Sequence, residues 1–148
     1  MERSEEKLGG DFVLDSSVIV KWFCKEENTE TALKFREGHV NGYVNIAFPD
    51  LVIYEIANAL RYNQKVTEED IINSVNSLID LGVDIIVPTK KVTESAISLA
   101  FEYDITLYDA YFVALARELG FEFVTADDNF YKKVKGLKFV KLLKNIQI

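Results

Sequence analysis

Four carboxylates lie near the ends of predicted strands and helices, where folding can bring distant residues together. Asp15 and Asp127 each come just after a short apolar strand, and Asp109 lies in the first turn of an apolar helix. Glu55 lies in the second turn of another helix. Sites on parallel sheets lie beyond the carboxyl ends of the strands. We therefore expect these four side chains to share one cleft.

A cluster of carboxylates has one obvious chemical use. The charges repel one another unless some are protonated or a cation lies between them. Mg²⁺ and Mn²⁺ prefer all-oxygen sites, and such ions can generate hydroxide and stabilise in-line attack on a phosphodiester. Backbone donors and hydroxyls at the helix starts, notably those of Ser17 and Thr125, could orient the acids or waters.

The same residues could instead have purely structural roles. An acid at a helix start is often only a cap or a partner of the helix dipole. Glu55 lies too far into its helix to cap it, but exposed helical glutamates are common. The aromatic residues Tyr108, Tyr111, Phe112 and Trp22 are expected in the core rather than on RNA bases.

Cysteine and histidine chemistry is largely excluded by composition. One cysteine, Cys24, rules out an intrachain disulfide and a cysteine-rich zinc site. One histidine, His39, rules out a catalytic histidine pair. Cys24 lies in an apolar run and is expected to be buried. Any catalysis must therefore depend mainly on carboxylates.

The charge distribution is uneven. A formal net charge of −7 argues against a general nucleic-acid coat. Residues 129–148, however, contain no acid and carry Lys132, Lys133, Lys135, Lys138, Lys141 and Lys144. Such a run is either a solvated face or an edge that contacts phosphates.

The predicted elements describe one domain. Short apolar strands alternate with helices, which predicts an α/β fold with a central, mostly parallel twisted sheet flanked by helices. Gly38 and Gly120 are expected to end helices, and Thr67 with Asp70 resembles a capping box. Residues 1–10 are expected to be a loose leader and residues 11–148 the domain.

The chain has no apolar run long enough to span a membrane. Its first residues are charged and no apolar stretch follows them, unlike in a signal peptide. We therefore expect a cytoplasmic protein with no membrane association.

The four acids occur in segments that together resemble the PIN-domain family, and within it the VapC-type toxin ribonucleases of VapBC toxin–antitoxin systems. These segments are residues 12–19, 49–60, 107–116 and 123–127, in the order and spacing of the family. Each motif alone is weak, but all four in one short chain are fairly specific. The resemblance implies a three-layer PIN-like domain.

The resemblance also implies an activity, an endoribonuclease that depends on Mg²⁺ or Mn²⁺. Its acidic quartet maps onto Asp15, Glu55, Asp109 and Asp127, with the three aspartates binding metal most directly and Glu55 acting through metal or water. Ser17 and Thr125 would support them. The resemblance further implies an RNA substrate, a homodimer and a small antitoxin that covers the cleft.

The resemblance does not fix two residues of the site, the fourth acid and the basic residue near the cleft. Asp128 stands beside Asp127 and makes the fourth acidic position ambiguous. Family members often carry a basic residue near the cleft, which here could be Arg61 or a lysine of the C-terminal run. The candidates for RNA contact in that run are Lys132, Lys133 and Lys135.

Three other functions are alternatives to this one. A PIN-like module could bind RNA or protein without cutting, although a binding module has no need of mutually repelling acids. A PIN nuclease could also process RNA as a housekeeping enzyme. An aspartate-nucleophile phosphatase would need a second acid two residues after Asp15, where Ser17 stands.

Overall fold

A computed structural model describes residues 8–147 of the chain. The strands are β1 (Gly10–Leu14), β2 (Val44–Pro49), β3 (Asp84–Ile86), β4 (Glu122–Thr125) and β5 (Val140–Leu142). The α-helices are α1 (Ser16–Ile19), α2 (Thr29–Val40), α3 (Leu51–Arg61), α4 (Glu68–Asp80), α5 (Lys90–Tyr103), α6 (Leu107–Leu119) and α7 (Asp128–Val134). Short 3₁₀ helices cover Val20–Trp22 and Leu143–Asn145.

The strands form one sheet in the order β3-β2-β1-β4-β5, and every pair is parallel. This arrangement confirms the predicted α/β fold. β1 lies at the centre, between β2 and β4, so the residues that follow these three strands meet at one edge of the sheet. Asp15, Asp50 and Asp127 are among those residues.

Aromatic contacts show that helices cover both faces of the sheet. Phe12 of β1 packs edge-to-face on Phe35 of α2, with ring centroids 5.0 Å apart. The next residue, Val13, is in register with Phe123 of β4, which lies 6.5 Å from Phe112 of α6. Successive strand residues point to opposite faces. Therefore α2 and α6 lie on opposite sides, which gives the predicted three layers.

Two predicted helix signals are confirmed because both depend on local hydrogen bonds. Gly120 adopts a left-handed conformation (φ 71°) at the end of α6, and its N–H bonds back to the carbonyls of the last turn. Thr67 and Asp70 form a reciprocal capping box at the start of α4. The Asp side chain therefore replaces the usual Glu or Gln.

The prediction that Gly38 ends its helix is wrong, because α2 continues to Val40. Gly38 lies inside α2, where the helix crosses β2 closely. A Cβ at Gly38 would lie 2.6 Å from Cγ2 of the buried Val44. This glycine therefore permits close packing rather than a turn.

The predicted core contains two errors. Tyr108 is 65% exposed, although its spacing from Phe112 placed both on one apolar stripe. Phe112 is buried as predicted, and Trp22 is also buried, with its indole N–H donating to the Ala32 carbonyl. Cys24 is only half-buried, because it lies at the edge of the core.

The predicted leader lies mostly outside the described residues, which begin at Leu8. Gly10 already belongs to β1, and Leu8 packs against the core. Among helices of residues 8–147, none has both the length and the apolar character that a membrane span requires.

Candidate active site

Asp15 is the most enclosed of the four predicted acids. It follows the central strand β1 and caps α1, and only 9% of its surface is exposed. Ser17 Oγ and Thr125 Oγ1 both donate to Asp15 Oδ2, at 2.7 and 2.8 Å. The Ser16 N–H donates to Oδ1 at 2.9 Å. Both predicted supporting hydroxyls therefore contact this carboxylate.

The same hydroxyls link the ends of β1 and β4. The Ala126 N–H donates to Ser17 Oγ, and the Asp127 N–H donates to Thr125 Oγ1. Thr125 is fully buried. The network therefore fixes the backbone that carries Asp127 relative to Asp15.

Glu55 is held by a residue that the sequence reasoning missed. Ser16 Oγ donates to Glu55 Oε1 at 2.7 Å, while the Ser16 N–H contacts Asp15. Ser16 thus contacts two of the four acids. Ser16 and Ser17 are adjacent and chemically identical, and the sequence alone does not say which acid each one serves.

Asp109 and Asp127 line a surface cavity of about 400 Å³ beyond the carboxyl end of β4. Asp109 lies in the first turn of α6, where Thr106 caps the helix, and Asp127 caps α7 through the Phe130 N–H. Lys133 lines the same cavity, and its Nζ donates to the Asp104 carbonyl at 2.9 Å. Asp104 lines the cavity as well, so three acids and one cation meet there.

Burial and mutual repulsion raise the pKa values of Asp15, Glu55 and Asp109. The pKa of Asp15 is raised to about 6, mainly by burial and to a smaller extent by the charges of Asp109 and Glu55, although the hydrogen bonds from Ser17 and Thr125 lower it. Burial is also the main cause that raises the pKa values of Glu55 and Asp109. Asp127 adds to the increase at Asp109, and Lys133 opposes it. The four acids therefore form a connected electrostatic group.

The remaining candidate residues lie away from this group. Asp128 forms an ion pair with Lys144 at 3.0 Å and does not line the cavity that contains Asp127. Lys132 and Lys135 are exposed on the C-terminal part of α7 and after it, and they do not line that cavity either. The geometry thus favours Asp127 over Asp128, and Lys133 over its neighbours.

The donor set suits a hard divalent cation. Every charged donor is a carboxylate oxygen, and raised pKa values mean that a cation would relieve repulsion and unfavourable burial. In residues 8–147 no three Asp, Glu, His or Cys side chains are already grouped as a complete metal-binding cluster. The four acids therefore suit such an ion because their donors are carboxylate oxygens, and not because they already form a complete coordination shell.

Comparison with known families and proteins gives consistent matches. The model of the PIN domain family matches residues 12–136. A curated relative, ribonuclease VapC3 of Pyrobaculum aerophilum, is 30% identical over 129 residues, which cover 84% of this chain and 95% of the relative.

Two solved structures of similar fold are described as toxins or toxin complexes. A toxin–antitoxin complex from Klebsiella pneumoniae superposes with a TM-score of 0.66 and 18% identity, covering 90% of this chain and 98% of the other. VapC20 of Mycobacterium tuberculosis, described as a toxin that cleaves the sarcin–ricin loop, has a TM-score of 0.65 and 16% identity. That alignment covers 83% of this chain and 95% of the other.

Proposed function

This chain belongs to the PIN-domain family, whose model matches residues 12–136, and we propose that it is a metal-dependent endoribonuclease that hydrolyses RNA phosphodiester bonds. The observation that carries the proposal is the buried Asp15, held by Ser17 and Thr125 beside Glu55 and Asp109. Its burial opposes ionisation, so a purely structural role gives no reason to place further acids beside it. The curated VapC3 relative is named a ribonuclease, which supports RNA as the substrate.

Each acid has a distinct part in the proposal. Asp15, Asp109 and Asp127 would hold Mg²⁺ or Mn²⁺, and Glu55 would contact the ion or a water. When bound, the ion supplies a nucleophilic hydroxide and stabilises charge on the phosphate. Ser17 and Thr125 orient Asp15, and Ser16 orients Glu55. Lys133, which lines the cavity with Asp127, would contact an RNA phosphate.

The decisive experiment is cleavage of a mixed RNA pool by purified protein with Mg²⁺, Mn²⁺ or EDTA. We expect cutting in either metal and none in EDTA. Asp109→Asn should lower the rate by at least about a hundredfold, because it removes one charged ligand and the charge balance of the cleft. Asp84→Asn is a matched control, since Asp84 is an exposed acid at the amino end of β3.

Two outcomes would contradict the proposal. If folded wild-type protein cuts no RNA in either metal, the domain is a binding module. If Asp109→Asn cuts as fast as Asp84→Asn, any activity comes from another site or from a contaminant.

We further propose a toxin role, with a homodimer and an antitoxin that covers the cleft. The Klebsiella pneumoniae neighbour is a toxin–antitoxin complex, which supports a partner of this kind. Expression of the wild-type chain should then arrest bacterial growth, and Asp109→Asn should not. Equal growth of both strains, with equal protein levels, would favour a housekeeping nuclease.

A further inference from the structure

A second cavity lies next to the proposed active site. It has a volume of about 110 Å³ and is lined by Ala126, which follows β4, and by Leu142, the last residue of β5. Because both strands are parallel to β1, their carboxyl ends lie at the same edge of the sheet as Asp15. The cavity has room for several water molecules, and therefore for a phosphate group.

Polar side chains surround this space, and two of them are lysines. Lys21 is half-buried, and within residues 8–147 its ammonium group has no hydrogen bond or ion pair. Lys144 forms an ion pair with Asp128 at 3.0 Å, but both side chains are more than half exposed, so the pair adds little stability. Glu27 also lines the cavity, but it is exposed and can turn toward solvent. Among the described residues, the cavity therefore holds one cation without a partner and one whose partner is easily replaced.

Residues 126–128 separate this cavity from the acids. The Ala126 N–H donates to Ser17 Oγ at 2.9 Å, and Ser17 Oγ donates to Asp15 Oδ2 at 2.7 Å. Asp127 lines the acidic cavity described above, whereas its two neighbours in the chain line the cavity with the lysines. The two cavities are thus adjacent along one edge of the sheet.

We propose that Lys21 and Lys144 form a subsite for a backbone phosphate of the RNA, next to the phosphate that is cleaved at the acids. This inference rests on the proposed ribonuclease function and adds a contact with its substrate. The phosphate replaces Asp128 as the partner of Lys144 and pairs with Lys21 as well. Phosphate contacts fix the register of a nucleic acid without reading its sequence. The lysines therefore hold the strand in place on one side of the acids.

Binding of a labelled RNA oligonucleotide, followed by fluorescence anisotropy, tests the lysines directly. It is measured in EDTA, where no metal-dependent cutting occurs, and again in Ca²⁺, which takes oxygen ligands as Mg²⁺ does. Lys21→Gln and Lys144→Gln should each weaken binding about three- to tenfold, between the values for an exposed ion pair and a charge-assisted hydrogen bond. Each should also reduce the slope of log affinity against log salt by about 0.7.

Lys141→Gln is the matched control for these variants. Lys141 is an exposed lysine of β5, close in sequence to Lys144, but it does not line the cavity. Its substitution removes the same charge from the same part of the chain. Affinity and salt slope should therefore stay near the wild-type values.

A modified RNA shows whether the lysines contact a phosphate. In a series of oligonucleotides, one phosphate at a time is replaced by an uncharged methylphosphonate. At one position the replacement should weaken binding to the wild type as much as Lys21→Gln does. The same replacement should not weaken binding to the variant further, because the two changes remove one contact.

Asp128→Asn tests the exchange of partners at Lys144. The variant frees Lys144 for the phosphate, so RNA binding should become about two- to threefold tighter. The gain should disappear when Asp128→Asn is combined with Lys144→Gln. Glu122→Gln is the control, because Glu122 is an exposed acid at the opposite, amino end of β4.

Several results would overturn the inference. They are no RNA binding by the wild type, a loss in the lysine variants no larger than that of Lys141→Gln, or no phosphate whose replacement depends on Lys21. If the lysine variants change the mass of the protein in solution but not RNA binding, the cavity belongs to a contact between copies of the chain. Cleavage in Mn²⁺ is scored separately. A wild type that binds RNA through the lysines without cutting it would contradict the nuclease function and not the phosphate subsite.

Discussion

Asp15 accepts three hydrogen bonds, yet burial still raises its pKa to about 6 from 3.8. The carboxylate is therefore less favourable in the folded protein than in the unfolded chain. That cost is useful at a metal site, because a bound cation relieves it. The proposed metal site would explain why the fold tolerates this cost.

This cost predicts how stability depends on pH. Because the folded state binds the Asp15 proton more tightly, it carries more protons than the unfolded chain between pH 3.8 and about 6. The contribution of this group to the free energy of unfolding should fall as pH rises through that window, by roughly 3 kcal/mol, and then level off. Asp15→Asn cannot titrate and lacks this decrease.

Urea denaturation of wild type and Asp15→Asn in EDTA, from pH 4 to pH 8, checks the prediction. The difference between the two proteins isolates Asp15 from the other acids. The variant should gain stability relative to wild type as pH rises. A difference that does not change with pH would show that Asp15 titrates normally.

At the residue scale, the sequence predicted that the four acids meet and that the hydroxyls of Ser17 and Thr125 lie beside them, but it did not predict the contact of Ser16. The three aspartates were recognised because each lies at the end of an apolar strand or the start of an apolar helix, and Glu55 because it lies near the start of its helix. Ser16 was missed because its contact with Glu55 joins residues distant in sequence. Tyr108 was assigned to the core because helical spacing does not tell which flank of an apolar stripe faces solvent. Its exposure depends on where α6 lies on the sheet.

Gly38 shows how an element depends on its neighbour. Alanine normally favours a helix over glycine, so Gly38→Ala should stabilise an isolated α2. In the protein the new methyl group would lie 2.6 Å from Val44 Cγ2. We expect a net loss of about 1–3 kcal/mol in the free energy of unfolding, which is typical of overpacking.

Chemical denaturation measures this loss, and Gly136→Ala is the control. No atom lies within 4 Å of a Cβ at Gly136, so that variant should change stability by less than about 1 kcal/mol. Combining Gly38→Ala with Val44→Ala should recover part of the loss through coupling of the two sites. Additive effects of the two substitutions would show that the contact is not the cause.

At the element scale, local signals were predicted and close approaches were not. The capping box at Thr67 and the left-handed Gly120 depend on hydrogen bonds within one turn, which sequence reveals. The role of Gly38 depends on the distance between α2 and β2, which no local pattern contains. The sequence likewise predicted that the sheet is mostly parallel, but it did not predict the order of the strands.

At the scale of the whole molecule, metal binding should increase the free energy of unfolding and raise Tm. An ion that binds only the folded state adds about 2.7 kcal/mol at a hundred times its dissociation constant, which raises Tm by several degrees. Mn²⁺ should therefore raise the Tm of wild type and of Asp84→Asn equally. Asp15→Asn and Asp109→Asn should lose most of the increase. Thermal denaturation with and without Mn²⁺ measures these shifts, and a full shift in Asp109→Asn would remove that residue from the metal site.

The pairing of β1 with β4 has a consequence for biosynthesis. β1 is completed at Leu14, but its neighbour β4 and the Thr125 hydroxyl that holds Asp15 come more than a hundred residues later. Until β4 emerges from the ribosome, the nascent chain therefore lacks the pairing of β1 with β4 and the hydrogen bond from Thr125 to Asp15. Synthesis itself delays the appearance of the site until almost the whole domain has emerged. A nuclease made beside so much RNA is thus inactive for most of its own translation.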